Sequence, residues 1–157
     1  MGRLANWLRT WKDEITAAAA LLGVVIGVVG FGMTWLQLSR TTETLQASNA
    51  YQIQKDAREL IENLLAKPEF RKAVGDGITA GNEQAALDNM WRMFNFYLSV
   101  YRQSEGGGLA KEFVASYKDD FCGFMKNKGA EEGWTKLKAA GRIGQPQETM
   151  RKRWCNA

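Results

Sequence analysis

The residues of this 157-residue chain that could carry chemistry are few: Cys122 and Cys155, the adjacent carboxylates Asp119-Asp120 and Glu131-Glu132, a triple glycine at 106–108, and the basic run RKRWC near the end. No histidine occurs, which removes the usual general base near neutral pH and the commonest imidazole metal ligand. The two cysteines are too far apart in sequence for a CxxC redox pair and too few for a four-ligand zinc site. They are either two ordinary buried thiols or a disulfide, and a disulfide needs an oxidising compartment. Neighbouring residues on a helix point about 100° apart, so neither carboxylate pair forms a general acid/base couple; both read as solvated surface. The sequence holds no GxxxxGK[ST], no GxGxxG after a strand and no HExxH, and the triple glycine has no phosphate-binding helix signature beside it. No catalytic residue, metal or cofactor is therefore expected. An enzyme would have to rest on carboxylates, Lys, Tyr or Cys in an arrangement the spacing does not display. The three cations of RKRWC would be drawn to an anionic lipid surface by ~1 kcal/mol each if they reached one. Without a stacking platform they make no nucleic-acid site, and a solvated basic tail is the plainer reading.

The elements that would position these residues divide into two kinds. Residues 15–38, ITAAAALLGVVIGVVGFGMTWLQL, run without a charge. As a helix rising ~1.5 Å per residue they cover ~36 Å, more than the ~30 Å hydrocarbon core of a bilayer. The block is too long for the ~7–15-residue apolar region of a signal peptide, and Trp35 followed by Arg40 suits an interfacial anchor and a stop. A retained transmembrane helix is expected. Ala19, Gly23 and Gly27 repeat every four residues with Gly30 beyond them, a stripe of small residues on which another span could pack closely. Ahead of the span, residues 1–14 place Leu4, Trp7, Leu8 and Trp11 at helical spacing with Arg3, Arg9 and Lys12 elsewhere on the wheel, as in a segment lying along the headgroups. Trp7, Trp11, Trp35 and Arg40 are the expected interfacial anchors. The formal charge of +4 is concentrated at the ends: residues 1–40 carry +2, 41–125 carry −3 and 126–157 carry +5. Three Lys or Arg lie on each side of the span within ~20 residues, so the charge rule leaves both topologies open.

Beyond the span, Ile53, Ala57, Leu60, Ile61 and Leu64 recur at three and four, which predicts that the helix continues outward as a stalk over 39–66. Pro68 ends it and restarts a helix in KPEF; the glycines at 75, 77 and 81 mark the next break. From 82 to 103 one wide face carries Leu87, Met90, Trp91, Phe94, Tyr97, Leu98 and Tyr101. After the SEGGG turn a second helix presents Phe113, Tyr117, Phe121 and Phe124. These two are expected to form an antiparallel hairpin with a shared aromatic core inside a small all-α domain over 67–157. Gly129 is read as the end of the second helix, with shorter helices after it. No stretch alternates as a strand would.

The exit QLSRTTETLQASNAYQIQKDARELI, the break AKPEF, the aromatic run MWRMFNFYLSVYRQSEGGGL and the following EFVASYKDDF resemble an uncharacterised set of small single-span bacterial proteins with a helical soluble domain, over roughly residues 34–124. The resemblance implies an inner-membrane location with the helical domain on the cytoplasmic side, and it implies no activity. The expected function is that of a non-enzymatic interaction protein. It would be an accessory subunit of a larger membrane complex or a homo-oligomer, in contact with the lipid bilayer and with a protein partner through the small-residue stripe. The alternative is a membrane-anchored sensor or lipid-binding or small-ligand-binding module, its pocket lined by aromatic residues among Trp91, Phe94, Tyr97, Phe113, Tyr117 and Phe121.

Overall fold

The computed structural model describes the backbone of residues 2–155 and the side chains of residues 11–12 and 16–155. Among the described residues the chain is all-helical, with six helices: α1 (Gly2–Leu65), α2 (Pro68–Asp76), α3 (Glu83–Glu105), α4 (Lys111–Met125), α5 (Lys128–Ala139) and α6 (Gln145–Cys155). Contacts divide the chain into two compact units, Met1–Thr44 and Leu45–Ala157.

Among the described residues the first unit is helix alone. Its apolar stretch is long and apolar enough to cross a membrane, and none of it is buried within the chain. The hydroxyls there are satisfied locally: Thr16 donates to the carbonyl of Lys12 at 2.7 Å and Thr34 to that of Gly30 at 2.9 Å. A hydroxyl bonded back to its own helix needs no water, which suits an apolar surrounding.

The second unit begins at Leu45, so most of the segment read as a stalk belongs to it. Ile53, Ala57 and Leu64 of α1 are core residues. Lys67 stands in an extended conformation ahead of Pro68, as a residue before proline prefers, and Pro68 opens α2 at the position where its missing N–H is not needed. Helix α3 is central, touching α2, α4, α5 and α6. Its spacing of large apolar residues puts Met90, Phe94, Tyr97, Leu98 and Tyr101 inside. Phe94 is fully buried, with ring centroids 5.0 Å from Trp134 and 6.0 Å from Phe124. Phe121 joins the same set, 5.1 Å from Tyr97 and 5.8 Å from Trp154. Edge-on and tilted pairs of this kind add ~0.5–1.5 kcal/mol each beyond the burial of the rings.

Helix α5 approaches its neighbours through small residues. A side chain on Gly129 would run into the backbone carbonyl of Ala73 in α2, and one on Gly133 would meet the Met90 sulfur of α3. Gly129 therefore does not close α4, as its type suggested. It lies in the first turn of α5, where α2 leaves no room for a Cβ. The glycine that closes a helix here is Gly141, just past the end of α5: its φ of 71° is the left-handed conformation glycine adopts without strain, while the Arg142 N–H reaches back to the Leu137 carbonyl at 2.8 Å.

The last helix is fastened covalently. Cys155 in α6 is bonded to Cys122 in α4, with Cα atoms 5.5 Å apart. Beside that link Trp154 packs on Tyr101 and Phe121. Buried polar groups are paired: Lys67 donates to Asn89 at 3.0 Å, and Gln147 donates to Asn95 while accepting the Gly144 N–H. Among the described residues no buried side-chain polar atom lacks a partner.

Candidate functional site

In the first unit, Ala19, Gly23, Gly27 and Gly30 are exposed, and an added Cβ at each of the three glycines would meet nothing within 4 Å. Trp35 and Arg40 are exposed beyond the stripe, and Trp11 is about half exposed at 48%. The side chain of Trp7 lies outside the described residues.

In the second unit, the aromatic residues picked out together by spacing separate into three environments. Phe94, Tyr97 and Phe121 are buried in the core. Trp91 is at the surface, with the Arg142 guanidinium 4.8 Å from its ring centre; the same guanidinium donates to Asp88 at 2.6 Å. That bond holds the Asp88 carboxyl below its usual range. Phe113 and Tyr117 are half-buried and line a groove, which Tyr97 also borders.

The groove has a volume of about 220 Å³. One wall is Gln54, Ala57 and Ile61 of α1, the floor is Met93, Phe96 and Tyr97 of α3, and the other wall is Phe113, Ser116, Tyr117 and Asp120 of α4. The α4 residues fall at intervals of three, one and three, so helical geometry alone aligns them on one face. The rings touch in sequence: Phe113 and Tyr117 at 5.1 Å, Tyr117 and Phe96 at 5.9 Å, Phe96 and Tyr97 at 5.6 Å. Asp120 is exposed at the rim, and among the described residues no cation pairs with it. Its charge reaches both phenols. Burial, then Asp120, pushes Tyr97 up to about 12 and raises Tyr117 from its ordinary value.

No protein-family model, curated protein or solved structure matches this chain.

A second, larger cleft of about 620 Å³ runs between α5 and α6. Most of its charges are paired within the fold. Glu148 accepts from Lys138 at 2.9 Å and from the indole N–H of Trp134 at 3.1 Å, and the Lys138 bond first, then Trp134, keeps its carboxyl low. Arg151 pairs with Glu131 at 2.6 Å and lies 5.2 Å from the Trp134 ring centre. Glu132 accepts the Ile78 backbone N–H at 3.2 Å and pairs with Lys136 at 3.4 Å. The adjacent carboxylates Glu131 and Glu132 thus tie α5 to two different elements.

The triple glycine is the turn between α3 and α4. Two amides of α1 hold it, Gln46 donating to the Gly107 carbonyl and Asn49 to that of Gly108, both at 3.0 Å. Nothing in the sequence pairs those amides with that turn, and nothing in it aligns the α1 wall with the α4 wall of the groove. Among the described residues no group of three His, Cys, Asp or Glu is placed to hold a metal.

Proposed function

We propose that this chain is a single-span membrane protein that works by contact rather than by catalysis, its span packing against another span through the stripe of Ala19, Gly23, Gly27 and Gly30. The observation that carries this reading is the open space over that stripe. An apolar helix that is unburied among the described residues, with glycines on one face, gains close backbone packing when a second helix covers them. The partner is a second copy of the chain or a span of a larger membrane assembly.

The second unit sits, in this reading, on the oxidising side of the membrane, which for a bacterial inner membrane is the periplasm. The Cys122–Cys155 bond supports that side, because reducing compartments keep thiols free. This is the opposite side to the one the resemblance implies.

Purification of the tagged chain from its native membrane in mild detergent, with mass spectrometry of what accompanies it, tests the reading. A stoichiometric partner or a homo-oligomer supports it, and recovery as a lone monomer contradicts it. The groove between α1, α3 and α4 supports a second reading alongside the first, a ligand-binding role for the helical unit.

A further inference from the structure

We propose that the groove between α1, α3 and α4 binds an alkylated ammonium group, its positive charge facing the rings of Phe96, Phe113 and Tyr117 and the carboxylate of Asp120. The proposal rests on the ligand-binding reading of the helical unit and names the ligand's chemistry.

Three features of the groove converge on that class. Its volume of about 220 Å³ is below the ~300–1,000 Å³ usual for drug-sized ligands, so it takes a head group rather than a large molecule. Its lining is aromatic on two sides, and a ring face attracts a cation, most strongly one whose methyl groups have already displaced its water. A carboxylate without a partner among the described residues stands at the rim, in line with Phe113, Ser116 and Tyr117 on α4. An anionic, phosphate-like ligand would meet that carboxylate with no cation to offset it, and a plain hydrocarbon would leave it unused.

The contrast with the rest of the unit is informative. Trp91 at the surface and the buried Trp134 each have an arginine of the chain itself over the ring, Arg142 and Arg151. The unit therefore already pairs rings with cations at two places. At the groove the rings and the carboxylate are present, and no cation of the described chain is paired with the carboxylate.

The test uses the full chain in a detergent with an uncharged head group, titrated with choline and with its neutral isostere 3,3-dimethyl-1-butanol, binding being read by calorimetry and by saturation-transfer NMR. Choline should bind saturably and about tenfold more tightly than the isostere, the margin a desolvated cation–π contact provides. Asp120→Asn, a surface change that leaves the core intact, should weaken choline severalfold and leave the isostere unchanged. Equal affinity for the two probes overturns the proposal while leaving a groove that binds small apolar molecules. Failure of both to bind overturns the proposal and the ligand-binding reading together. Unaltered choline affinity in Asp120→Asn also overturns it. Titration in nanodiscs then separates the sources of the ammonium: a choline signal lost in phosphatidylcholine discs and kept in phosphatidylglycerol discs assigns the site to a lipid head group. A signal equal in both assigns it to a free amine.

Discussion

Gly129 in α5 stands against the backbone carbonyl of Ala73 in α2 with no space for a Cβ between them. The contact fixes how closely two helices cross, and a backbone atom cannot swing aside as a side-chain end can. Gly129→Ala should therefore push α5 off α2 and destabilise the helical unit by roughly 1–3 kcal/mol, the usual cost of overpacking a close-packed site. Gly133→Ala meets side chains rather than backbone, the flexible Met90 most closely, and should cost less. Thermal melts followed by circular dichroism would rank the two; the reverse order would mean that the α2–α5 crossing is not what holds α5 in place.

Loss of the Cys122–Cys155 bond should lower stability without abolishing the fold. The bond closes a loop between positions 33 residues apart, for which the chain-entropy estimate is about 4 kcal/mol. The Cys122→Ser, Cys155→Ser double variant should melt at a lower temperature and at the same temperature with or without reductant. The parent should drop to that value when reduced.

Acid should weaken the unit before base does. Asp88, Glu132 and Glu148 have carboxyls held below their ordinary values, by Arg142, by the Ile78 N–H and by Lys138 respectively. A depressed folded value means the stabilisation is present above the ordinary value and lost as pH falls through the folded one. Melting temperature should therefore hold steady from neutral pH to about 4.5, the upper of the ordinary values of these three, and fall below it. Glu148→Gln should flatten part of that decline. Tyr97, raised to about 12 by burial, acts with the opposite sign: its neutral form is favoured in the fold, so stability should fall as pH climbs from 10 towards 12.

Much of the helical unit was readable because helices leave a local period. The large residues of α3 and α4 recur at three and four, and those intervals put Phe94, Tyr97 and Phe121 inside. The same period could not separate Trp91 from Phe94, since a wide apolar stripe has edges; Trp91 lies at one, capped by an arginine from the distant α5–α6 connection. Gly129 was misread because a glycine that ends a helix and one that permits a close crossing look alike in sequence. The disulfide and the groove depend on which segments meet in space. A spacing of 33 residues says nothing of distance, and most of the groove's lining comes from α1 and α3, far in sequence from Asp120.

Topology is open to a direct check. Alkaline phosphatase folds to its active form only where disulfides form, so a fusion after residue 155 should be active in cells if the helical unit lies on the oxidising side. An inactive fusion at normal expression would place the unit in the reducing compartment, where the Cys122–Cys155 bond would not persist.

The central claim is that the span works by contact, and the apparent mass of the full chain in mild detergent tests it most directly. The parent should migrate as a complex larger than its 17.6 kDa monomer, and Gly23→Leu or Gly27→Leu, which places bulk where close helix packing needs none, should shift it to a smaller species. Migration unchanged by both substitutions would contradict the account.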